Sequence, residues 1–407
     1  MNRHTVEAIL NWKRVLLIVC VAHAAATVQL RLVPVLGPEL IMNYGWTPDM
    51  VGHVATIANV GSVGFVMIGA GVFRALGAAR GILLGIASGL SGLLLVAVPG
   101  AAVPYLAGIL LGFCHAPSHP IGNDLLQNHA PGGYRALIFS VKQSAPALGG
   151  VLAGLILPVI GARYGLYAAL VAAAVPLLIG LMILAPLYSG LRRMDLMRPR
   201  NGAMFDFQNL SGPTYTVLSD PQLRRLTLTG FTLALVNSAW LVYLPTYLAL
   251  EIGISPVVAG YIFALFQVGA FVGRLALGWI ADKILSPRLV LTGALVGSAI
   301  VNCLLPVIAP SAQILPIAVL ATALGVLAAG WSGVQVAEVM RLAPRDRLID
   351  AGSGVMVTTG LGVIIGPLLF PVLMFLTGSW EGAFMAIVVF PLAALIVLTV
   401  RRPGSPT

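Results

Sequence analysis

The sequence predicts an all-α membrane protein with twelve transmembrane helices arranged as two pseudo-symmetric six-helix bundles. Composition, the spacing of long apolar segments and an internal repeat support this prediction. Of the 407 residues, 59% are hydrophobic and only 9% are charged, and the mean hydropathy is +0.98. Soluble domains are about 45–50% apolar and about 25% charged. A soluble enzyme or a nucleic-acid-binding module is therefore excluded as the main function of the chain.

The apolar residues fall into long uninterrupted segments. A helix needs about 20 apolar residues to cross the hydrocarbon of a bilayer. Because the segments are continuous rather than alternating with a period of two, they favour helices over barrel strands. Twelve such segments lie near residues 15–36, 51–72, 81–99, 104–126, 136–159, 166–187, 226–248, 259–281, 289–309, 316–339, 352–376 and 383–400.

The basic residues predict the orientation of these spans, because Lys and Arg accumulate in cytoplasmic loops. When both termini are placed in the cytoplasm, Arg163 is the one basic residue of the 23 that falls in an external loop. Three more, Arg31, Lys142 and Arg274, lie within predicted spans. The net charge of +10 is therefore a topology signal, and we expect no nucleic-acid partner.

One long polar stretch divides the spans six and six. It predicts an N-terminal six-helix bundle over residues 1–188, a cytoplasmic linker over 189–225 and a C-terminal six-helix bundle over 226–407. The basic residues of this linker are Arg192, Arg193, Arg198, Arg200, Arg224 and Arg225.

The two halves repeat each other without gaps, at span two against span eight and at span four against span ten. Two matches at corresponding positions indicate a duplicated six-helix unit. Parallel six-span repeats are typical of one transporter architecture, in which the substrate site lies near the midplane between the halves. The first match pairs Thr47-Pro48-x-x-x-Gly52 and Asn59-Val60-Gly61 with Ser255-Pro256-x-x-x-Gly260 and Gln267-Val268-Gly269. The second pairs Leu111-Gly112, Ala116 and Ala130-Pro131 with Leu324-Gly325, Ala329 and Ala343-Pro344.

Three further motifs resemble those of the major facilitator superfamily, in its bacterial twelve-span branch. Gly273-Arg274-x-x-x-Gly278-x-x-x-Asp282-Lys283 is similar to the cytoplasmic loop signature of the family. The loop after span two, which contains Arg74 and Gly77, is similar but has Phe73 where the family usually has an acidic residue. Pro146-x-x-Gly149-Gly150 resembles the family's span-five motif. The resemblance covers essentially the whole chain and implies the family's fold and transport by alternating access.

The same resemblance implies a set of conformational residues. Arg274 with Asp282 is expected to act as a latch at the cytoplasmic face rather than as a ligand contact. Glu338 is either a gating residue or a simple partner of Arg341. The full gating set is Arg74, Asp124, Pro146, Gly149, Gly150, Arg274, Asp282 and Glu338.

Polar residues within the spans mark the interior, because an ionisable group in hydrocarbon costs about 2.5–3.5 kcal/mol on insertion scales. At about 1.5 Å per residue, the central groups are basic or histidine, with no carboxylate near the midplane. A cavity lined in this way favours an anion. The candidate substrate-binding residues are His23, Arg31, His115, His119, Lys142, Gln143, Asn237, Gln267, Trp331 and Gln335.

Several of these residues allow another interpretation. Arg31 and Lys142 are long enough to snorkel towards headgroups. The histidines could be satisfied by neighbouring hydroxyls or carbonyls, or one of them could carry a proton, since histidine titrates near neutral pH. Trp331, like Trp240, either walls a cavity or packs among the helices.

We therefore expect a secondary active transporter of a small organic anion, a carboxylate by preference, with protons as a candidate coupling ion. The alternative is proton-coupled efflux of amphiphilic compounds or drugs, because the span-five motif resembles that of proton-coupled exporters. ATP drive is disfavoured, since the sequence contains no phosphate-binding Gly-x-x-x-x-Gly-Lys-Ser/Thr motif. A metal-dependent membrane enzyme built on His115-x-x-x-His119 is also disfavoured, because Pro117 and Pro120 interrupt that helical spacing.

The remaining expectations follow from these. No metal and no cofactor are expected, and Cys20, Cys114 and Cys303 have no metal-ligand spacing. The partners are expected to be the substrate and the lipid bilayer, and the protein is expected to be monomeric. We expect a multi-pass protein of the bacterial inner membrane with both termini in the cytoplasm.

Overall fold

A computed structural model describes residues 11–68, 72, 76–100, 102–129, 131, 135–196, 208–344 and 347–399. All regular secondary structure in these ranges is helical. The chain forms two compact units, Met1–Phe207 and Gln208–Thr407.

The first unit contains seven α-helices in its described residues. A 3₁₀ turn, Ala116–Ser118, separates the fourth from the fifth. The helices are α1 (Trp12–Tyr44), α2 (Pro48–Ile68), α3 (Ala78–Val96), α4 (Val103–His115), α5 (Pro120–His129), α6 (Arg135–Tyr164) and α7 (Leu166–Leu196).

The second unit contains nine α-helices in its described residues, with a 3₁₀ turn, Ala309–Ser311, after the fourth of them. They are α8 (Gln208–Ser219), α9 (Pro221–Leu250), α10 (Pro256–Lys283), α11 (Pro287–Ile308), α12 (Ile314–Ala329), α13 (Ser332–Leu342), α14 (Leu348–Thr377), α15 (Trp380–Ala386) and α16 (Val389–Thr399). Residues 208–225, which the sequence analysis assigned to the linker, are therefore largely helical.

Ten segments of the described residues are long and apolar enough to cross a membrane. The chain is thus a multi-pass membrane protein, as predicted, while the count of twelve spans stays a prediction. The two predicted spans outside these ten are span two, which is α2, and span four, which is divided between the short helices α4 and α5.

Spans four, ten and twelve are interrupted helices, and the sequence indicates such a break in span four at Pro117 and Pro120. Span four breaks at Ala116–Ser118, where Pro117 and Pro120 each lack a backbone N–H and cannot continue the hydrogen-bond ladder. Span ten breaks at Gly330 and Trp331, between α12 and α13. Span twelve is divided into α15 and α16. The breaks in spans four and ten fall at matching distances from the repeated glycines Gly112 and Gly325.

The repeated glycines are the points of closest approach between helices. A Cβ atom on Gly112 would overlap the carbonyl oxygen of Ala58 on α2. A Cβ atom on Gly325 would overlap the carbonyl oxygen of Phe266 on α10 in the same way. Only glycine lets two helix backbones approach this closely. This contact is a physical reason for the repeat seen in the sequence.

A second pair of glycines extends the correspondence. Gly149 on α6 faces the carbonyl oxygen of Ala24 on α1, and Gly362 on α14 faces that of Phe231 on α9. Both glycines lie 37 residues after the glycines of the previous contact, Gly112 and Gly325. The first and fifth spans of each unit therefore pack through the same kind of contact.

The third spans of the two units begin differently. In the first unit, the backbone N–H groups of Ala78 and Ala79 donate to the carboxylate of Asp195 at 3.0 and 3.3 Å. Gly77 has a φ of +80°, and a Cβ atom there would overlap the Asp195 side chain. In the second unit, α11 is capped locally by Ser286, whose hydroxyl accepts from Leu289 N–H.

Candidate functional site

Three histidines of the first unit form one cluster. His23 comes from α1, His115 from the end of α4, and His119 from the residue that follows the 3₁₀ turn. Their ring centroids are 5.1, 4.7 and 5.5 Å apart. His23 and His115 are buried, and His119 is half-buried. We call these three residues the histidine cluster.

The local structure explains why the rings meet. The tight turn between α4 and α5 keeps His115 and His119 on neighbouring sides of the break, and both α4 and α5 pack against α1. Nδ1 of His115 hydrogen-bonds to the Ser62 hydroxyl at 2.8 Å. This bond links the cluster to α2 and directs the other ring nitrogen of His115 away from Ser62.

Lys142 lies beside the cluster with its ammonium group inside the protein. Its side chain is 0% exposed, and Nζ donates to Oδ1 of Asn123 at 2.6 Å. Gly122 provides the room, because a Cβ atom there would lie 3.1 Å from Cε of Lys142. The snorkelling interpretation of Lys142 is therefore wrong. Both Arg31 and Lys142 lie within electrostatic reach of His115.

Sequence reasoning missed Ser62 and Asn123 as contacts of these groups. Asn123 precedes the predicted gating residue Asp124, so its polarity was a visible signal. Ser62 gave none, because a lone serine in an apolar span is common. Gln143 follows Lys142 on α6 but is exposed.

The candidate residues of the second unit have different surroundings. Gln335 is buried, and its Nε2 donates to the carbonyl oxygen of Leu226 at 2.8 Å. Trp331 is buried in an apolar cluster of this unit, and its Nε1 donates to Ala328 at 2.7 Å. Both side chains thus have structural contacts, whatever further role they have.

Asn237 and Gln267 keep polar atoms inside the second unit. Gln267 is buried. Oδ1 of Asn237 is buried and has no hydrogen-bond partner among the described residues. A buried unsatisfied amide is costly, so this atom is suited to meet water or a ligand.

The aromatic residues Trp240 and Tyr243 pack within the second unit. Trp240 stacks on Phe384 with ring centroids 3.6 Å apart, and Tyr243 stacks on Phe370 at 4.4 Å. Tyr243 donates to the carbonyl oxygen of Pro367 at 3.0 Å, and Trp240 donates to Asn302. Since both are fully buried, their contacts are those of core residues.

The sequence model of the Major Facilitator Superfamily matches residues 15–284 and 226–407, which together cover nearly the whole chain. The chain belongs to the major facilitator superfamily.

Solved structures agree with this assignment. The peptide transporter POT in complex with alafosfalin has a TM-score of 0.72 at 15% identity, covering 98% of both chains. POT in complex with sulfate has a TM-score of 0.70 at 14% identity, covering 98% of this chain and 96% of that one. A bacterial homologue of the human lysosomal transporter Spinster, inward-facing and occupied, has a TM-score of 0.64 at 15% identity, covering 94% and 95%. No curated protein sequence matches significantly.

Membership of the superfamily makes this chain a membrane transporter of small molecules and not an enzyme. The predicted residues of the superfamily's first loop signature fall partly outside the description, since Arg74 and Phe73 are not among the described residues. In the second signature, Arg274 and Asp282 both lie on α10. The latch role of these residues stays a prediction.

The other gating candidates differ in their contacts. Glu338 forms a bidentate ion pair with Arg341, with both N–O distances at 2.7 Å. Gly149 is the close-packing glycine of α6 described above, and Gly150 beside it is also buried. Pro146 and Asp124 are half-buried.

Proposed function

We propose that this transporter carries a small organic anion, with a carboxylate as the group recognised, by alternating access. The observation that carries the proposal is the burial of Lys142. In the part of the chain that the structure describes, its ammonium group meets a neutral amide oxygen and no carboxylate. A buried cation without an ionic partner is costly, so an incoming anion would find a preorganised partner.

The neighbourhood of Lys142 supports the same conclusion. Arg31 adds a second positive charge close to His115, and the three histidines add polar groups that carry no negative charge. Two cations in a low-dielectric region attract an anion more strongly than they would in water. The same charges would repel a lipophilic cation, which disfavours the alternative of drug efflux.

The structural neighbours suggest compounds for testing. POT is a peptide transporter, and its structures contain alafosfalin and sulfate. A short peptide has a terminal carboxylate, so dipeptides belong in the anion set beside simple carboxylates. We propose protons as the coupling ion. The proposed location is a bacterial inner membrane, with both termini in the cytoplasm.

A thermal-shift screen of purified protein tests the anion proposal. The panel contains small carboxylates, dipeptides, amino acids, sugars and lipophilic cations, at pH 5.5 and 7.5. A ligand that binds the folded state raises the apparent unfolding temperature. We expect hits among the carboxylates, lost in Lys142→Met and kept in Lys13→Met, a matched control because Lys13 is exposed.

Uptake into proteoliposomes with each hit completes the test. Lys142→Met and Arg31→Ala are expected to abolish uptake while the protein still inserts and purifies normally. Hits confined to lipophilic cations would overturn the anion proposal in favour of efflux. Wild-type uptake in both variants would also overturn it.

A further inference from the structure

We propose that the histidine cluster binds one divalent transition-metal ion of the zinc type, with a coordination position left open for the carboxylate of the substrate. This second part rests on the proposed function. The sequence predicts no metal site, because Pro117 and Pro120 interrupt the helical spacing of His115 and His119. The fold removes that objection by bringing all three rings together.

The distances fit a metal after a small closure. One ring nitrogen from each of His23, His115 and His119 lies within 4.8 Å of the other two. In a tetrahedral site with Zn–N bonds of about 2.0–2.1 Å, ligand nitrogens lie about 3.3 Å apart. Side-chain rotations that close each pair by about 1.5 Å or less would complete the site. His119 follows a 3₁₀ turn and is half-buried, so its ring is the least enclosed of the three.

The donor set points to one class of ion. Three imidazoles suit zinc, copper, nickel or cobalt, whereas magnesium and calcium prefer oxygen ligands. A site with three protein ligands keeps a fourth position open, unlike a closed structural site. The ion would therefore be exchangeable or able to accept a further ligand.

An outer contact supports the role of His115. Metal-binding histidines usually use their second ring nitrogen for a hydrogen bond that fixes the ring. The contact between Nδ1 of His115 and the Ser62 hydroxyl at 2.8 Å has this form and leaves Nε2 as the ligand atom.

The surrounding charges explain why the ion would bind together with an anion. Arg31 and Lys142 interact electrostatically with His115, and both repel a bare dication. A carboxylate bound to the metal would neutralise part of its charge and could also reach a cationic side chain. Metal and anion should therefore strengthen each other's binding, by the same factor in both directions.

The metal part is tested with the full-length protein, purified without a histidine tag, treated with a chelator and then titrated with CoCl₂. We expect one cobalt ion per chain, with visible absorption bands typical of nitrogen coordination, and displacement by ZnCl₂. His23→Gln and His119→Gln are expected to weaken cobalt binding by about 10-fold or more. His53→Gln is the matched control, because His53 is exposed and outside the cluster.

The anion part is tested by adding succinate to the cobalt-loaded protein. We expect the absorption spectrum to shift and cobalt affinity to rise by about 5-fold or more, with both effects lost in Lys142→Met. Equal cobalt binding by the wild type and both cluster variants would overturn the metal site. A site that binds cobalt without any response to succinate or to the carboxylate hits would overturn the open position.

The two proposals fail separately. Carboxylate thermal shifts measured in chelator-treated protein report on the anion site without a metal. If these shifts persist and cobalt does not bind, the proposed function stands and the metal site is overturned. Circular dichroism of each variant before titration distinguishes lost binding from lost folding.

Discussion

The two units share one set of helix contacts, but the side chains beside these contacts differ. Around the break of span four, the first unit holds histidines and a buried lysine. Around the matching break of span ten, the second unit holds Gln335 and Trp331, both engaged in packing and hydrogen bonds to backbone carbonyls. A duplicated backbone has therefore kept its contacts and changed its interior.

Equivalent positions of the two units carry different side chains. Ten residues after Gly112 and Gly325 stand Gly122 in the first unit and Gln335 in the second. Ala24 on α1 and Phe231 on α9 make equivalent contacts. His23 and Gly230, one residue before them, are therefore equivalent positions. The Gln335 side chain occupies the space beside Gly230.

Lys142 has its own counterpart. Lys142 lies seven residues before Gly149, and Val355 lies seven residues before Gly362. Val355 is part of the apolar core.

In both units a glycine lies beside the buried polar side chain, Gly122 beside Lys142 and Gly230 beside Gln335. In the first unit the glycine stands at the position of Gln335, and in the second unit it stands at the position of His23.

The largest loss of stability is expected at the glycine contacts that the two units share. Gly112→Ala and Gly325→Ala each force a Cβ atom into a helix backbone, and overpacking of this kind costs about 1–3 kcal/mol. We expect both variants to lower the free energy of unfolding by about 3 kcal/mol, measured by chemical denaturation in detergent. Gly64→Ala and Gly278→Ala, which have open space at Cβ, serve as controls.

The losses of stability in Gly112→Ala and Gly325→Ala test whether the two units use the same contact. Similar losses at the two positions would support one contact used twice. A harmless Gly112→Ala beside a severe Gly325→Ala would break the equivalence of the two units.

The next largest loss of stability is expected at Gln335, which occupies the space beside Gly230. Gln335→Ala removes the hydrogen bond to Leu226 and leaves a space beside Gly230, for a loss of about 2 kcal/mol. Gly230→Ala alone also destabilises, because its Cβ would overlap the Gln335 amide. The double variant should lose less than the sum, with a coupling of about 0.5–3 kcal/mol. Strict additivity in the denaturation data would mean that the two positions do not share this space.

The smallest effect concerns the two ways of starting a third span. Asp195→Ala removes a carboxylate that accepts from two N–H groups at the start of α3, for a loss of about 1–2 kcal/mol. Ser286→Ala removes a single, longer cap of α11, for a loss of about 0.5–1 kcal/mol. The two melting temperatures measured side by side check the order, and a larger loss at Ser286 would contradict it.

The helical membrane fold and the repeat could be predicted because hydropathy and glycine spacing are local in the sequence. The helix breaks could be predicted in part, since Pro117 and Pro120 mark the break in span four. The break in span ten has no proline, and a single glycine such as Gly330 does not predict one. The histidine cluster could not be predicted, because His23 is separated from the other two by more than two spans. Asp195 was missed for the same reason, since the N–H groups that it caps are more than 100 residues away.

The length of α1 sets the vertical position of His23. Its 33 residues extend about 50 Å, and even at a tilt of 40° the helix would project about 38 Å along the membrane normal. Because the hydrocarbon is about 30 Å thick, α1 must enter the headgroup layer. Trp12 and Tyr44, the end residues of α1, are of the type that anchors there. A helix held by aromatic residues at both surfaces resists sliding, so the depth of His23 is tied to bilayer thickness.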